Sequence, residues 1–518
     1  MFTVSLKGGS LISSLSSKSL LFNLKSSVLS TPYSNFSTPV TGLPHPNPNS
    51  KLSKSNPKIQ IEKRVLCDFP VLNNTARRFS SRTQLVKKTG QSLPVGTFSN
   101  FGSITSTTGV LFRNLSSARI QSLPSSREVE VEYQNGKRKK VYVDSRAVGN
   151  WLIYLSSMCF GIIVWGGLTR LTESGLSIVE WAPISGVRLP TTEEGWESEF
   201  EKYKQFPEYH KVHVGISMED FKKIYFMEWF HRNIGRLLGV MYIVPAIYFI
   251  SKGSIHKKNI IKVLGLGSLI GLQGTIGWDM VSSGVNEKFN DVDEAIPRVS
   301  QYRLTTHLGA AYLLYILFSM YGFKTVRLNR ILNGKIKNLD QIRQTLDRID
   351  VQKFRKATSH VSKFALLTCL SGGMVAGLDA GLVYNEFPLM GGRILPPKSE
   401  YWSDNYATDI FGNAQSKIYN LFENPTTVQM IHRTMAITTC FAVSYLWYIG
   451  RGLGLNRANR FLVNMSFIVG LTQVGLGIGT LVNYVPVSWA SAHQANSVIL
   501  VATLFGLTNS LKAIPKIV

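Results

Sequence analysis

The chain has 518 residues, of which 44% are hydrophobic and 17% charged, and its 57 Lys and Arg outnumber its 31 Asp and Glu. This composition excludes both a wholly disordered protein and an ordinary soluble one. The excess positive charge lies largely in an N-terminal tail and one set of loops, which argues against a nucleic-acid-binding surface. The 4 cysteines have no CxxC or metal-like spacing, so we expect no disulfide framework and no zinc site.

Residues 1–127 form the first predicted region. They contain 16 Lys and Arg but only two acidic residues, and they are rich in Ser, Thr and Asn. Such a segment cannot bury enough apolar surface to offset its chain entropy. We interpret it as a mitochondrial transit peptide with a disordered linker, because ARRFSS (residues 76–81) resembles a processing site. A basic disordered tail is the alternative. Residues 128–148 then form a matrix-facing segment before the first helix.

Eight apolar runs follow, each near the length that a helix needs to cross a hydrocarbon layer of about 30 Å. They occupy residues 147–169, 229–251, 260–281, 304–323, 361–378, 428–450, 461–482 and 489–510. The last two share one uncharged stretch that is too long for a single crossing and is broken by NYVPVS (residues 483–488). Because some runs are short, seven or nine spans are also open.

The loops between these runs alternate in charge. Basic loops follow the second, fourth and sixth runs, and the connection 324–360 is the most basic of them. The loops after the first, third and fifth runs are rich in acids, including the four acidic residues at 287–294. The positive-inside rule therefore places both termini in the mitochondrial matrix, and only an even number of spans fits. The acidic stretch TTEEGWESEFEKY (residues 191–203) is expected to be a solvated loop, with a substrate cover or partner site as alternatives.

The two halves of the chain resemble each other. GGLTRLTESGL (residues 166–176) aligns without gaps to GGMVAGLDAGL (residues 372–382), and His-Arg pairs, glycine-bearing helices and a further His follow in the same order. Chance similarity of two apolar segments is the alternative. The repeat predicts an all-α integral membrane protein with eight transmembrane helices, arranged as two pseudo-symmetric parallel four-helix bundles at 149–323 and 361–518.

Four of the nine histidines lie inside the apolar runs, one in each even-numbered run: His231, His307, His432 and His493. Each lies within about the first turn or two of its run, so all four are expected at a similar depth near the outer face. A single such histidine would commonly be a satisfied core residue. Two imidazoles facing each other in each bundle suit the axial positions of a haem iron, whereas zinc would need more ligands.

Charged neighbours distinguish the two halves. Arg232 and Arg433 follow the first histidine of each half and can pair with haem propionates, or else extend from the helix to the interface. Glu228 precedes His231 by three residues, and the matching residue before His432 is Gln429. A carboxylate can move protons whereas an amide cannot, so the first half is the better candidate for chemistry. A helix-capping role for Glu228 is the alternative.

These residues resemble a known family, the mitochondrial haem A synthases, over about residue 145 to the C-terminus. The motifs that do so are GGLTRLTESGLSIVEW (166–181), MEWFHRNIGRLLG (227–239), IPRVSQYRLTTHLG (296–309), VAGLDAGLVYNEFPLMG (375–391), ENPTTVQMIHR (423–433) and TQVGLGIGTLVNYVPV (472–487). The resemblance implies oxidation of the C8 methyl of haem O to the formyl group of haem A. It also implies that His432 and His493 bind haem b, that His231 and His307 engage the substrate haem, and that Glu228 takes part in the oxidation.

The resemblance further implies the mitochondrial inner membrane, an electron donor such as a ferredoxin system, and contacts with haem O synthase and oxidase assembly factors. It leaves a homo-oligomer open, and the outer-loop cysteine pair of some bacterial members is absent. Because a bis-histidine iron has no open position, either His231 or His307 dissociates during turnover, or oxygen is activated elsewhere, or oxygen is not the direct oxidant. A dihaem cytochrome that only transfers electrons, and a repeat-built transporter, are the alternative functions.

Overall fold

The computed structural model describes residues 125–132, 136–178, 180–182, 186–285, 297–406 and 416–518, which belong to one compact unit of the chain. The predicted transit region 1–127 lies outside these residues except for its last three. The acidic loop residues 287–294 also lie outside them.

Eight helices of 24 or more residues dominate the described residues, and we label them α1 to α8 in chain order. They are α1 (Arg146–Leu171), α2 (Met218–Ser251), α3 (Ile260–Val285), α4 (Gln301–Leu332), α5 (Ile349–Gly377), α6 (Pro425–Gly452), α7 (Arg457–Val482) and α8 (Val487–Ser510). The shorter α-helices are Glu193–Lys204, Pro207–Lys211, Leu339–Asp347, Lys398–Tyr401 and Asn420–Glu423. Each predicted apolar run lies within one long helix, apart from single residues at its ends.

Among the described residues, 5 helices are long and apolar enough to cross a membrane: α1, α2, α3 with its preceding turn, α4 and α7. The other three long helices have 29, 28 and 24 residues but contain more polar positions. The chain is therefore a mostly helical protein with several membrane-crossing helices.

The helices extend beyond the apolar runs. Helix α2 begins at Met218, where Ser217 caps it by accepting a hydrogen bond from the Asp220 backbone N–H at 3.1 Å. His231 is therefore about three and a half turns into its helix, although it lies within the first turn of its apolar run. The basic connection 324–360 is also largely helical. Apolar runs mark where a helix meets hydrocarbon, whereas caps and hydrogen bonds decide where it starts and ends.

A small antiparallel sheet, absent from the all-α prediction, joins the two ends of the described chain. Strand β1 (Arg127–Glu132) pairs with β2 (Arg138–Val143) and also with β3 (Lys516–Ile517), in the order β2-β1-β3. The buried Asp144 follows β2 and accepts hydrogen bonds from Asn259 and Tyr321. The start of α1, the α2–α3 connection and the end of α8 therefore lie on one side of the helices.

Both halves share one pattern of helix contacts. In each half, consecutive helices pack together and the fourth packs on the first; between the halves, α1 packs on α8 and α5 on α4. The aligned glycines Gly167 and Gly373 lie at these two junctions, against Gln494 of α8 and Thr305 of α4. The aligned acids Glu173 and Asp379 also share a left-handed backbone, with φ of 51° and 49°.

The acidic stretch at 191–203 is not the solvated loop expected from its charge. Residues Glu193–Lys204 form a helix whose Phe200 and Tyr203 are buried. They pack with Ile178 against Phe221 and Tyr225 in the early turns of α2. Because its acids face outward while its aromatic residues face α2, the helix covers the outer side of the first half. We call this helix, the short helix Pro207–Lys211 and the first turns of α2 the outer cap.

Candidate functional site

The histidines of the even-numbered long helices, His231, His307, His432 and His493, lie at equivalent positions, which we call the glycine seats. Each imidazole lies against a glycine of the preceding helix, where even a β-carbon would approach the His Cε1 atom closely. The distances from an added Cβ to Cε1 are 2.7 Å for Gly166 and His231, 2.9 Å for Gly277 and His307, 3.1 Å for Gly372 and His432, and 2.8 Å for Gly477 and His493. Only glycine lets the ring approach the helix backbone this closely, so four odd-numbered helices each hold one imidazole.

A second residue of the seat helix also contacts each fourth-helix histidine. The Gln273 Nε2 atom lies 3.2 Å and 3.3 Å from the two ring nitrogens of His307. The corresponding distances from Gln473 to His493 are 3.1 Å and 3.3 Å. An in-plane hydrogen bond reaches only one ring nitrogen, so these nearly equal distances place each amide over a ring face. Both halves therefore contain a Gln-x-x-x-Gly sequence whose Gln and Gly contact the imidazole of the fourth-helix histidine, His307 or His493.

The histidines of each half form a pair. In each half the two histidines lie on the second and fourth long helices, which are opposite each other because the four helices pack in a ring. No group of three His, Cys, Asp or Glu that could hold a metal ion occurs in the described ranges. Haem is a flat cofactor whose iron can take two axial protein ligands. Two imidazoles in glycine seats are such a pair of ligands, so the residues present suit haem.

Glu228 links the first half to the segment after α1. It is 2% exposed, and its Oε1 accepts a hydrogen bond from Arg232 Nη2 at 2.6 Å. Its Oε2 accepts from Ser177 Oγ at 2.8 Å and from the Ile178 backbone N–H at 2.7 Å. Three donors, one of them charged, therefore hold a buried carboxylate one helical turn from His231.

The second half repeats this arrangement with an amide. Gln429 is 2% exposed and donates from Nε2 to the Tyr384 carbonyl at 3.1 Å. Arg433 donates to the carbonyls of Leu389 and Tyr384, much as Arg232 donates to those of Glu180 and Ile178. The two arginines thus bind equivalent outer-loop carbonyls. The carboxylate is the difference between the halves that the sequence indicated.

Comparison with known proteins places this arrangement in a family. The family described as "Cytochrome oxidase assembly protein" (COX15-CtaA) matches residues 149–505, which include all four histidine seats. The chain belongs to this family.

Relatives in several eukaryotes that are named as haem A synthases are similar to most of this chain. "Heme A synthase COX15" of Bos taurus is 41% identical over 371 residues, covering 72% of this chain and 83% of the relative. Its counterpart in Homo sapiens is 40% identical over 391 residues, covering 75% and 88%. The "Heme A synthase-mitochondrial ferredoxin fusion protein" of Schizosaccharomyces pombe is 39% identical over 375 residues, covering 71% and 60%. The resemblance drawn from the sequence motifs is confirmed.

Contacts between the halves add residues that sequence reasoning missed. Asp379 accepts from Arg170 of α1 at 2.9 Å and pairs with Arg298 at 3.2 Å. Arg170 also donates to the carbonyl of Ala376, its own counterpart in the repeat. The glycine seats were visible in the sequence as recurring Gly motifs, but nothing there paired each of them with a histidine.

Another buried carboxyl group lies in the outer cap. Glu208 is 5% exposed, and its Oε2 has no hydrogen-bond partner in the described part of the chain. Burial, assisted by the charge of Glu228, raises the pKa of Glu208 to about 8. Nearby, the Tyr203 hydroxyl lies 2.8 Å from His213 Nδ1, and burial lowers the pKa of His213. The cap therefore holds two titratable side chains in their neutral forms.

This carboxyl group predicts a pH-dependent stability. Because the folded pKa of Glu208 lies above its ordinary value of 4.5, its contribution is fully present below about pH 4.5 and is lost as the pH rises through about 8. We expect the thermal midpoint of the purified protein to fall over this window, and the E208Q variant to show a smaller fall. Thermal unfolding monitored by tryptophan fluorescence at several pH values measures this. An unchanged slope in E208Q would show that Glu208 is not the group responsible.

Proposed function

We propose that this chain is a haem A synthase, which oxidises the C8 methyl group of haem O to the formyl group of haem A. The observation that carries the proposal is the set of four half-buried histidines, each with its imidazole against a glycine at an equivalent position of the repeat. The names of its relatives support the same activity, including a "Heme A synthase" of Nitrosomonas eutropha that is 38% identical over 353 residues.

The proposed architecture is eight membrane-spanning helices in two parallel four-helix bundles. The matching helix contacts of the two halves support it. Helix α6 falls outside the five most apolar helices, yet its Phe441, Tyr445 and Tyr448 are 73%, 64% and 71% exposed. A row of exposed aromatic and apolar residues on a long helix is expected at a lipid surface.

The proposed location is the mitochondrial inner membrane, with both ends of the helical region facing the matrix. The sheet that joins β1 to β3 supports an even number of spans, because it brings both ends to one side. The basic loops on that side support the matrix orientation. The region 1–127 would be the transit segment, 128–148 the segment before α1, and 324–360 the basic matrix connection.

The two histidine pairs would hold two different haems. His432 and His493 would bind a resident haem b, which supplies one-electron transfer when bound. His231 and His307 would engage haem O as the substrate. The division follows the contrast of Glu228 with Gln429, because a carboxylate one turn from the first histidine can accept a proton and an amide cannot.

Charged residues around the pairs would orient the haems and assist the chemistry. Arg433 Nε is buried and has no partner among the described residues, so it is the donor available to a propionate of haem b. Arg232 would have the same role toward haem O by its equivalence to Arg433. Glu228 would accept a proton or stabilise positive charge that develops as the methyl group is oxidised.

The electrons are proposed to come from a ferredoxin system. The relative in Schizosaccharomyces pombe, named as a fusion with a mitochondrial ferredoxin, supports this donor because fusion keeps two proteins at a high effective concentration. Contacts with haem O synthase and oxidase assembly factors, and a homo-oligomer, belong to the same proposal. Each would be tested by co-purification from mitochondrial membranes.

Extraction of pigments from the purified full-length protein tests the proposal. We expect haem b together with haem O or haem A, identified by pyridine haemochrome spectra and chromatography. Replacing His432 with Ala should remove haem b and keep the substrate haem, whereas replacing His231 should do the reverse. The absence of a Soret band in the wild-type protein, or unchanged haem content in both variants, would overturn the assignment.

A further inference from the structure

The second half fixes the orientation of its first histidine through a serine. Ser371 Oγ lies 2.8 Å from His432 Nδ1 and 2.8 Å from the Thr368 carbonyl oxygen. A hydroxyl group has one hydrogen, and a carbonyl oxygen can only accept. Ser371 therefore donates to Thr368 and accepts from the N–H at Nδ1 of His432. This leaves the lone pair on Nε2, the nitrogen that a metal ion would use.

The first half lacks this serine. The residue aligned with Ser371 is Trp165, whose indole N–H donates to the Met227 carbonyl at 3.0 Å. His231 Nδ1 is buried and has no hydrogen-bond partner within the described ranges. Among the described residues, therefore, no hydrogen bond to Nδ1 fixes the orientation of the His231 ring against its glycine.

The histidines of the fourth helix in each half, His307 and His493, also differ in the hydrogen bonds made by the side chains around them. In the second half, Asn496 donates to Gln473 Oε1 at 2.8 Å and to the Val469 carbonyl at 3.0 Å, so the Gln473 amide is held against His493. In the first half the residue aligned with Asn496 is Ala310. Gln273 Oε1 is buried and without a partner in the described residues. The second half thus has two polar side chains, Ser371 and Asn496, that the first half lacks, whereas the Gln273 amide is held at His307 by donating to the His307 backbone carbonyl at 3.0 Å.

We infer that Ser371 and Asn496 are positioning residues that keep the second histidine pair ready to hold a permanent haem, and that Trp165 and Ala310 leave the first pair able to release one. The inference rests on the proposed assignment of haem b to His432 and His493. A ligand whose orientation is fixed by a hydrogen bond loses less freedom on binding, whereas an unsupported ring can turn away. A substrate haem must leave as product, so weaker support suits the first half.

The S371A variant of the full-length protein tests the serine. We expect its haem b to dissociate about 10- to 100-fold more readily than in the wild-type protein, with a changed midpoint potential and low-spin electron paramagnetic resonance signal. S371T keeps the hydroxyl group and should restore these properties. S362A is the matched control, because Ser362 is a buried serine of the same helix that bonds to Thr358 and Thr508 and to no histidine. Wild-type haem b affinity, potential and spectrum in S371A would overturn the inference.

Variants that exchange the aligned residues Asn496 and Ala310 test the role of the hydrogen bond from Asn496 to Gln473. N496A should weaken haem b retention, and A310N should give Gln273 Oε1 a partner and slow the release of haem from the first half about 10-fold. Haem dissociation to excess apomyoglobin measures both rates. If neither rate changes, this part of the inference is wrong although the proposed function stands. If H432A itself retains haem b, the proposed cofactor site is wrong, and the inference falls with it.

Discussion

Glutamine in place of Glu228 is expected to lower haem A formation by about 10²- to 10⁴-fold, the usual range for loss of a general acid or base. Haem content should stay at the wild-type level. The second half supports this separation, because it already contains an amide at this position with an arginine one turn later that still binds its outer-loop carbonyls. E228Q keeps the size of the side chain and removes its charge, but its NH2 group must face one of the three donors that now bind Glu228, so haem content is measured beside activity to separate the lost carboxylate from a local rearrangement.

Haem A produced by the purified variant, with haem O and reductant supplied, measures this effect. E208Q is the matched control, because Glu208 is also a buried carboxyl residue of the first half but lies in the outer cap. Its haem A formation should be near the wild-type rate. A near-normal rate in E228Q would contradict the catalytic role and would favour a cytochrome that only transfers electrons.

Alanine at the glycine seats is expected to produce the second large effect. In G477A the new β-carbon would lie 2.8 Å from Cε1 of His493, so the ring or the helix must move. Overpacking of this kind costs about 1–3 kcal/mol, which corresponds to about 5- to 150-fold in haem b affinity if the strain falls on the bound state. G277A should weaken the substrate haem in the same way, because its β-carbon would lie 2.9 Å from Cε1 of His307.

The chain offers a control for each seat. Gly475 and Gly274 lie on the same helices as Gly477 and Gly277, and a β-carbon at either would meet nothing within 4 Å. G475A and G274A should retain haem as the wild-type protein does, or slightly better, because Ala favours helix. The ratio of Soret to protein absorbance after purification gives the comparison. Equal retention in the seat and control variants would show that the glycines serve helix packing alone.

Much of the helical framework could be predicted from the sequence because membranes impose a simple rule. A helix that crosses hydrocarbon must be apolar over about 20 residues, and each of the eight runs lies within a helix in the structure, to within a residue at its ends. The boundaries could not be predicted so well, since α2 begins with turns that lie outside its apolar run. The helix Glu193–Lys204 of the outer cap was not predicted, because its many acidic residues indicated a solvated loop although two of its aromatic residues are buried.

The candidate site, too, could be predicted only in part from the sequence. The four histidines, the two arginines and the contrast of Glu228 with Gln429 were evident from residue type and from the internal repeat. Their roles toward haem remain predictions. The partner of each polar atom was not evident, because the Ser371 and Asn496 contacts depend on how two consecutive helices are rotated and aligned against each other.

The sequence by itself determined the class of protein, the repeat and the polar residues within its apolar runs, since each of these is a property of composition and spacing along one chain. Only the tertiary structure decided which glycine seats which imidazole, which donors hold Glu228, and which buried atoms have no partner. Packing distances and hydrogen bonds depend on where neighbouring helices meet. The two halves repeat the same motifs in sequence, but they differ in the hydrogen bonds that side chains make around their histidines.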